Sequence, residues 1–271
     1  MGRTGWFAAH ILGAKLSKSN LLLSALDSDL SSSWVHEVRL RPGQVLCEQG
    51  EPLDTVYFLH SGVVSKLAIF QDGTEIECVL VGREGAVGAM AALGLRSGLT
   101  RDVCHMGGVA SAVDAEVFRA AVQNSSRMSD IVLGYCAWKM SWAIRNGACN
   151  ALHPIEQRLA KWILTCCDVL EQSEISLSQE VFAKMLGAQR SSVNIILQRF
   201  RSEGLIELGR SRLILVDRPR LMRRSCECYV DLKAMEQDFN YSTGEIREPA
   251  PRRAQEPRVW TVNGQTSSSV R

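Results

Sequence analysis

Gln189, Arg190, Ser191, Ser192, Asn194 and Gln198 form the group of side chains in this sequence best suited to reading another molecule. Arginine carries a planar fork that matches guanine O6 and N7, while Asn and Gln match the donor and acceptor of adenine. No acid interrupts the set. Ser178 stands just before it, and Arg210 and Arg212 follow in a short turn. Together they make a candidate surface for double-stranded DNA. Other chemistry is thinly represented. There is no glycine-rich phosphate loop, nucleophile motif or metal dyad, and Arg101, Asp102 and His105 are too isolated to argue catalysis. No catalytic residue is assigned, and an enzyme with a regulatory domain is the weaker alternative. The nine cysteines are scattered. Cys104 and His105 would point to opposite faces of a strand. Cys166-Cys167 and Cys226-Glu227-Cys228 each lack a second pair at zinc-like spacing. No metal ligand is expected, although Cys226 and Cys228 are the best redox or metal candidates.

The elements that must hold the polar set are legible around it. From Gln179 to Gln198, Phe182, Ala183 and Leu186 share one face of a first helix, and Val193, Ile196, Leu197 and Phe200 share one face of a second. Gly187-Ala188 fits the turn between them, where glycine adopts positive φ without steric cost. This is the pattern of a helix-turn-helix whose second helix enters the major groove. Ile195 either contacts a thymine methyl or packs inward. Gly204 to Leu208 and Leu213 to Val216, joined by Gly209-Arg210-Ser211-Arg212, read as a two-stranded wing with a basic tip. An ordinary amphipathic helix pair would explain the two helices, but not the wing.

Charge follows the same division. Residues 1–150 carry 13 Lys/Arg against 14 Asp/Glu, whereas residues 176–224 carry 10 against 4. A basic patch confined to the helix-turn-helix is the footprint of phosphate contacts. At 271 residues the chain can hold two domains. Trp6 to Leu12 is too short and interrupted for a membrane span. No signal peptide precedes the cysteines, so they read as reduced thiols in a cytoplasmic protein.

Ahead of the helices the period is that of strands. Short apolar runs between Val35 and residue 113 are separated by Pro42-Gly43, Gly50-Glu51-Pro52, Ser61-Gly62 and Asp72-Gly73, the last a strong hairpin signal. That regular spacing indicates an antiparallel roll. Residues 129–151 then read as one long helix, apolar on two faces. Ile131, Tyr135, Trp138 and Trp142 form one stripe, and Leu133, Ala137, Met140 and Ile144 the other. The first stripe is expected to be the seam of a homodimer, because recognition-helix proteins bind paired half-sites. His153-Pro154 marks a hinge.

A roll, a long helix, a hinge and a winged helix-turn-helix in this order resemble the Crp/Fnr family of bacterial transcription regulators. Arg41-Pro42-Gly43-Gln44, Gly50-Glu51-Pro52, Val56-Tyr57-Phe58, Ser61-Gly62-Val63, Arg158-Leu159-Ala160 and the block 179–216 carry the resemblance. It implies an α+β chain: an N-terminal extension (1–19), a jelly-roll-like β-roll sensor domain (20–125), a dimerisation helix (126–152), a winged helix-turn-helix (153–232) and an unstructured tail (233–271). It also implies a homodimer on a palindromic operator, with RNA polymerase a candidate partner, a small effector of unknown identity and no membrane. The family's cyclic-nucleotide contacts map to Gly88-Ala89 and Arg101-Asp102, and here they are degenerate. Alanine cannot accept the ribose hydrogen bond, and Asp102 beside Arg101 repels a phosphate. Arg101 is expected to pair with Asp102 instead. Cyclic AMP or GMP is therefore not the expected effector. Haem and iron–sulfur clusters are not expected either, since the first cysteine is Cys47. Ser191 and Ile195 stand where many relatives place Glu and Arg, so the operator need not match theirs. Redox or metal response on the same fold, and a degenerate sensor acting through protein contacts, are the alternatives.

Overall fold

The computed structural model describes residues 20–246. The first helix, α1 (Leu21–Leu26), is capped by Asn20, whose Oδ1 accepts from the Leu23 amide. The Asn20 Nδ2 donates to the Leu59 and Gly85 carbonyls at 2.7 and 2.8 Å, which ties α1 to the strands behind it. Eight strands follow: β1 (His36–Leu40), β2 (Val45–Cys47), β3 (Thr55–Leu59), β4 (Val63–Ile69), β5 (Glu75–Val81), β6 (Ala86–Val87), β7 (Arg101–Met106) and β8 (Gly108–Asp114). They form two antiparallel sheets in the orders β1-β8-β3-β6 and β2-β7-β4-β5. This is the roll that the alternating strands and glycine turns predict. Gly62 shows why such turns need glycine. Its φ is +85°, and a Cβ there would strike the Met106 carbonyl.

Asp114 caps α2 (Ala115–Gln123), which drops Phe118 edge-on to Phe58 at 5.6 Å in the roll's core. Ser125 caps the 27-residue α3 (Ser126–Leu152). His153 is extended before Pro154, as a residue preceding proline prefers, and α4 (Ile155–Leu170) starts afresh beyond it. The C-terminal half then runs β9 (Glu174–Ile175), α5 (Gln179–Met185), α6 (Arg190–Ser202), β10 (Ile206–Gly209), β11 (Arg212–Leu215), α7 (Arg218–Arg224) and α8 (Cys228–Asp238). No helix among the described residues is long and apolar enough to cross a membrane.

Two expectations require correction here. The tail assigned to 233–271 is ordered as far as residue 246, while residues 1–19 and 247–271 lie outside the described residues. Its ordered part folds back on α3. Gly134 makes this possible, because a Cβ at that position would collide with the Gly244 carbonyl. Phe239 stacks on Trp138 with 5.3 Å between ring centroids and 4° between planes, and Tyr241 meets both rings edge-on. The Tyr135 hydroxyl donates to the Ala86 carbonyl at 3.1 Å and accepts from the Ala86 amide. Lys139 pairs with Glu84 at 2.7 Å while its amine lies over the Trp138 and Trp142 rings. Ile131, Tyr135, Trp138 and Trp142, read as the dimer seam, are thus buried within one chain. Residues 239–244, together with Glu84 and Ala86 of the roll, supply their cover. The opposite stripe stays open, with Leu133, Met140 and Ile144 exposed to 49, 61 and 65%.

Candidate nucleic-acid interface

The helix-turn-helix is built from the inside out. Phe182, Ala183 and Met185 of α5 and Leu186 at its C-cap are buried with Val193, Leu197 and Phe200 of α6, and Trp162 of α4 meets Phe182 edge-on at 5.2 Å. Ala183 is small enough for α6 to approach, and its carbonyl accepts from the Ala188 amide at 3.0 Å. Gly187 takes φ +55° at the turn. Ser178 is the N-cap of α5, its hydroxyl accepting from the Val181 amide, and Gln189 is the N-cap of α6. Ser178 therefore serves the backbone as well as lining the surface.

Packing that apolar face turns the polar one outward. Gln189, Arg190, Ser191 and Gln198 are exposed, and Ser192 and Asn194 are half-buried beside them. Ile195, left open between two roles, points outward at 62% exposure. The β10–β11 hairpin brings its tip to the start of α6, and Ser211 takes φ +54° to close it. Ser178, Glu180, Arg190, Arg210 and Arg212 thereby line one cleft of about 280 Å³, three arginines against one carboxylate. Arg212 is partly engaged, with its Nε 3.0 Å from Glu174. Among the described residues, Arg190 and Arg210 form no ion pair. A helix N-terminus with a free guanidinium, facing a second free guanidinium across a cleft, favours an anion there.

The sensor residues are placed differently. Gly88 (φ +83°) lets the chain pass close to the Thr55 carbonyl, and the buried Ala89 begins a 3-10 turn. Arg101 and Asp102 do not pair as expected. Adjacent strand residues face opposite sides of a sheet. Asp102 points inward to Lys66 at 2.5 Å and accepts from the Thr100 hydroxyl at 2.7 Å. Arg101 points outward to Glu75 at 3.0 Å and Glu48 at 3.3 Å.

The roll also touches the DNA-binding half directly, a contact that sequence reasoning missed. The Ile76 side chain lies against the Gly187 turn. Glu77, buried on β5, accepts from Trp162 Nε1 at 2.8 Å and from the Ser65 hydroxyl at 2.5 Å. Burial pushes its carboxyl up to about 7, with the two hydrogen bonds and Lys161 opposing. The folded value then lies above the ordinary 4.5. The stability this proton confers is full below that ordinary value and is lost as pH rises through about 7. Glutamine can accept from Trp162 and donate to Ser65. Glu77→Gln should flatten urea stability against pH over this window and raise stability above it by up to about 3 kcal/mol. An unchanged pH slope in the variant would rule Glu77 out as its source.

A second convergence was equally invisible in the sequence. Cys149 and His153 at the end of α3 meet Cys226 and Cys228, with one ligand atom of each all within 4.8 Å of one another. A hydrogen bond from Cys226 draws the Cys149 thiol below its ordinary range, against desolvation, and Lys161 adds to the effect.

Comparison with known proteins agrees with this architecture. Residues 37–125 match the cyclic nucleotide-binding domain, and residues 157–224 match the Crp-like helix-turn-helix domain. A CRP-like cAMP-activated global transcriptional regulator of Mycobacterium tuberculosis is 25% identical over 192 residues, spanning 68% of this chain and 85% of that protein. FixK2 of Bradyrhizobium japonicum has a similar fold, with a TM-score of 0.62 and 16% identity over 71% of this chain and 98% of its own. The c-di-GMP-responsive regulator CLP of Xanthomonas campestris gives 0.56 and 17%, over 68% and 95%. With a cyclic-nucleotide-binding-like roll ahead of a Crp-like helix-turn-helix, the chain belongs to the Crp/Fnr family of transcription regulators.

Proposed function

We propose that the protein is a sequence-specific DNA-binding regulator that acts as a homodimer on a palindromic operator, has no catalytic activity, and does not answer to cyclic AMP. The observation that carries it is the face of α6. Arg190, which forms no ion pair among the described residues, stands in its first turn, and Ser191, Asn194 and Gln198 continue the row. Pairing follows from the second stripe of α3. Leu133, Met140 and Ile144, three large apolar side chains on one face, are left to solvent in a single chain. A second copy of the same helix would cover them, and an isologous contact of that kind suits a two-fold operator. The cyclic AMP statement is supported by Lys66 and Thr100 holding Asp102, and by Glu75 and Glu48 holding Arg101. A cyclic phosphate would have to displace two carboxylates to reach that arginine. The free cysteines fit a reducing compartment, and the cytoplasm is the site of action.

Binding isotherms on an operator and a scrambled duplex, across a salt series, test the reading. Arg190→Ala should lose about 1–3 kcal/mol on the operator and relax preference at one base pair per half-site. Arg210→Ala should weaken both duplexes alike and reduce the salt slope by about one charge per subunit. Added cyclic AMP should leave the isotherms unchanged. Equal loss on both duplexes for Arg190→Ala would remove its base-reading role, and no loss on either would remove the interface.

A further inference from the structure

The cluster at the hinge has the composition and spacing of a metal site. Cys149 and His153 stand one helical turn apart at the end of α3, and so on the same side of it. Cys226 and Cys228 bracket the junction between α7 and α8. The Cys149 and Cys226 sulfurs are 3.5 Å apart, and the Cys228 sulfur lies 3.7 Å from His153 Nδ1. In a tetrahedral zinc centre, with Zn–S of about 2.3 Å and Zn–N of about 2.0–2.1 Å, ligand atoms sit about 3.5–3.8 Å from one another. Small shifts would bring all four to that spacing.

Two further features point the same way. The other ring nitrogen of His153, Nε2, faces Glu227 Oε1 at 3.3 Å. A carboxylate there holds the proton on Nε2 and leaves the Nδ1 lone pair for a cation, as carboxylate–histidine–zinc arrangements do. Beneath the cluster lie two buried cations. Lys161 donates to Asn146 Oδ1 at 2.7 Å, and Arg158 donates to Asn150 Oδ1 and the Leu186 carbonyl. Among the described residues neither forms an ion pair, although a buried charge ordinarily needs an opposite one. Zinc with three thiolates and a neutral imidazole carries a net charge of −1. It would place one negative charge beside these two cations, in addition to the Glu77 carboxyl that already interacts with Lys161.

We propose that Cys149, His153, Cys226 and Cys228 form a tetrahedral zinc site that fastens the end of α3 to the segment behind the DNA-binding domain. Binding forms three S–Zn bonds and one N–Zn bond, and any proton still held by the three sulfurs is released to solvent. It does not alter the roll. It fixes the angle at which α4 and the recognition helix leave α3, and this second part rests on the DNA-binding reading above.

The full chain, purified in thiol reductant without chelator, should carry about one zinc per subunit by elemental analysis. Cobalt in its place should show tetrahedral d–d bands and thiolate-to-cobalt charge transfer. Cys226→Ser and Cys228→Ser should each lose the metal, whereas Cys47→Ser should keep it. Glu227→Gln, which leaves all four ligands, should weaken zinc binding about 10–100-fold. Stripping the zinc should lower operator affinity by about 5- to 150-fold, the usual range for coupling between two sites. Several results would overturn the site: no zinc or cobalt taken up by the folded chain in reductant, cobalt bands without thiolate charge transfer, iron–sulfur absorbance, a Cys149–Cys226 disulfide in place of metal, or equal zinc in the cysteine variants. If a serine variant fails to fold, the cobalt spectrum of the unaltered chain decides. Operator affinity unchanged after stripping would overturn the hinge role. A zinc-loaded chain with no affinity for any duplex would instead refute the DNA-binding reading and leave the site standing.

Discussion

Met140→Glu with Ile144→Glu should give a folded monomer that has lost its operator. Both side chains already face solvent in the single chain, at 61 and 65% exposure, so carboxylates there cost the isolated fold little. Between two copies of α3 the same carboxylates would be buried without partners and would repel their symmetry mates, a cost no small interface survives. A monomer reaches one half-site and keeps mainly phosphate contacts. Specific binding exceeds non-specific binding by at least about 10³-fold, so operator affinity should fall by roughly that factor. Scrambled DNA should lose far less. Sedimentation or light scattering reads the subunit state, and circular dichroism reads the fold. A double variant that still sediments as a dimer would move the interface elsewhere on the molecule.

The choice of stripe shows where sequence reading stops. Both stripes on α3 have the same helical period, and the one richer in aromatic residues looks the better seam. What decides between them is Phe239 and Tyr241, two aromatics in a polar stretch with no period of their own. Their role depends on the chain folding back across Gly134, and no local pattern encodes that return. The same limit applies to the hinge cysteines. Cys149-x-x-x-His153 and Cys226-x-Cys228 are each visible, but more than seventy residues separate them, and only the packing of α8 on α3 joins them. By contrast, the helix-turn-helix, the wing and the hairpin at Asp72-Gly73 are local devices. Each carries its own periodicity and turn chemistry within a short span, which is why they are legible. Arg101 lies between these cases. Strand alternation separates it from Asp102, but finding Glu75 and Glu48 requires the neighbouring strands.

Trp138→Ala should be the most destabilising single change in the chain. Its ring is buried among Tyr135, Trp142, Phe239 and Tyr241, with the Lys139 amine 4.3 Å from its centroid. Truncating a fully buried Trp typically costs about 3–5 kcal/mol, a large part of the 5–15 kcal/mol that holds an ordinary domain together. Phe239→Ala should cost less, because its partner can still pack against Tyr135 and Trp142. The double variant should cost less than the sum of the two, since a stacked pair contributes about 0.5–1.5 kcal/mol beyond its buried area. Urea unfolding followed by tryptophan fluorescence measures all four corners of that cycle. Strict additivity would mean that Phe239 and Trp138 do not touch in solution. Truncation after Asp238 makes the same point without altering α3. It removes Phe239 and Tyr241 together, lays Trp138 open, and should lower the urea midpoint while leaving an apolar face beside the proposed seam. A truncated chain as stable as the full one would return the Ile131–Trp142 stripe to contention as the surface that meets a second subunit.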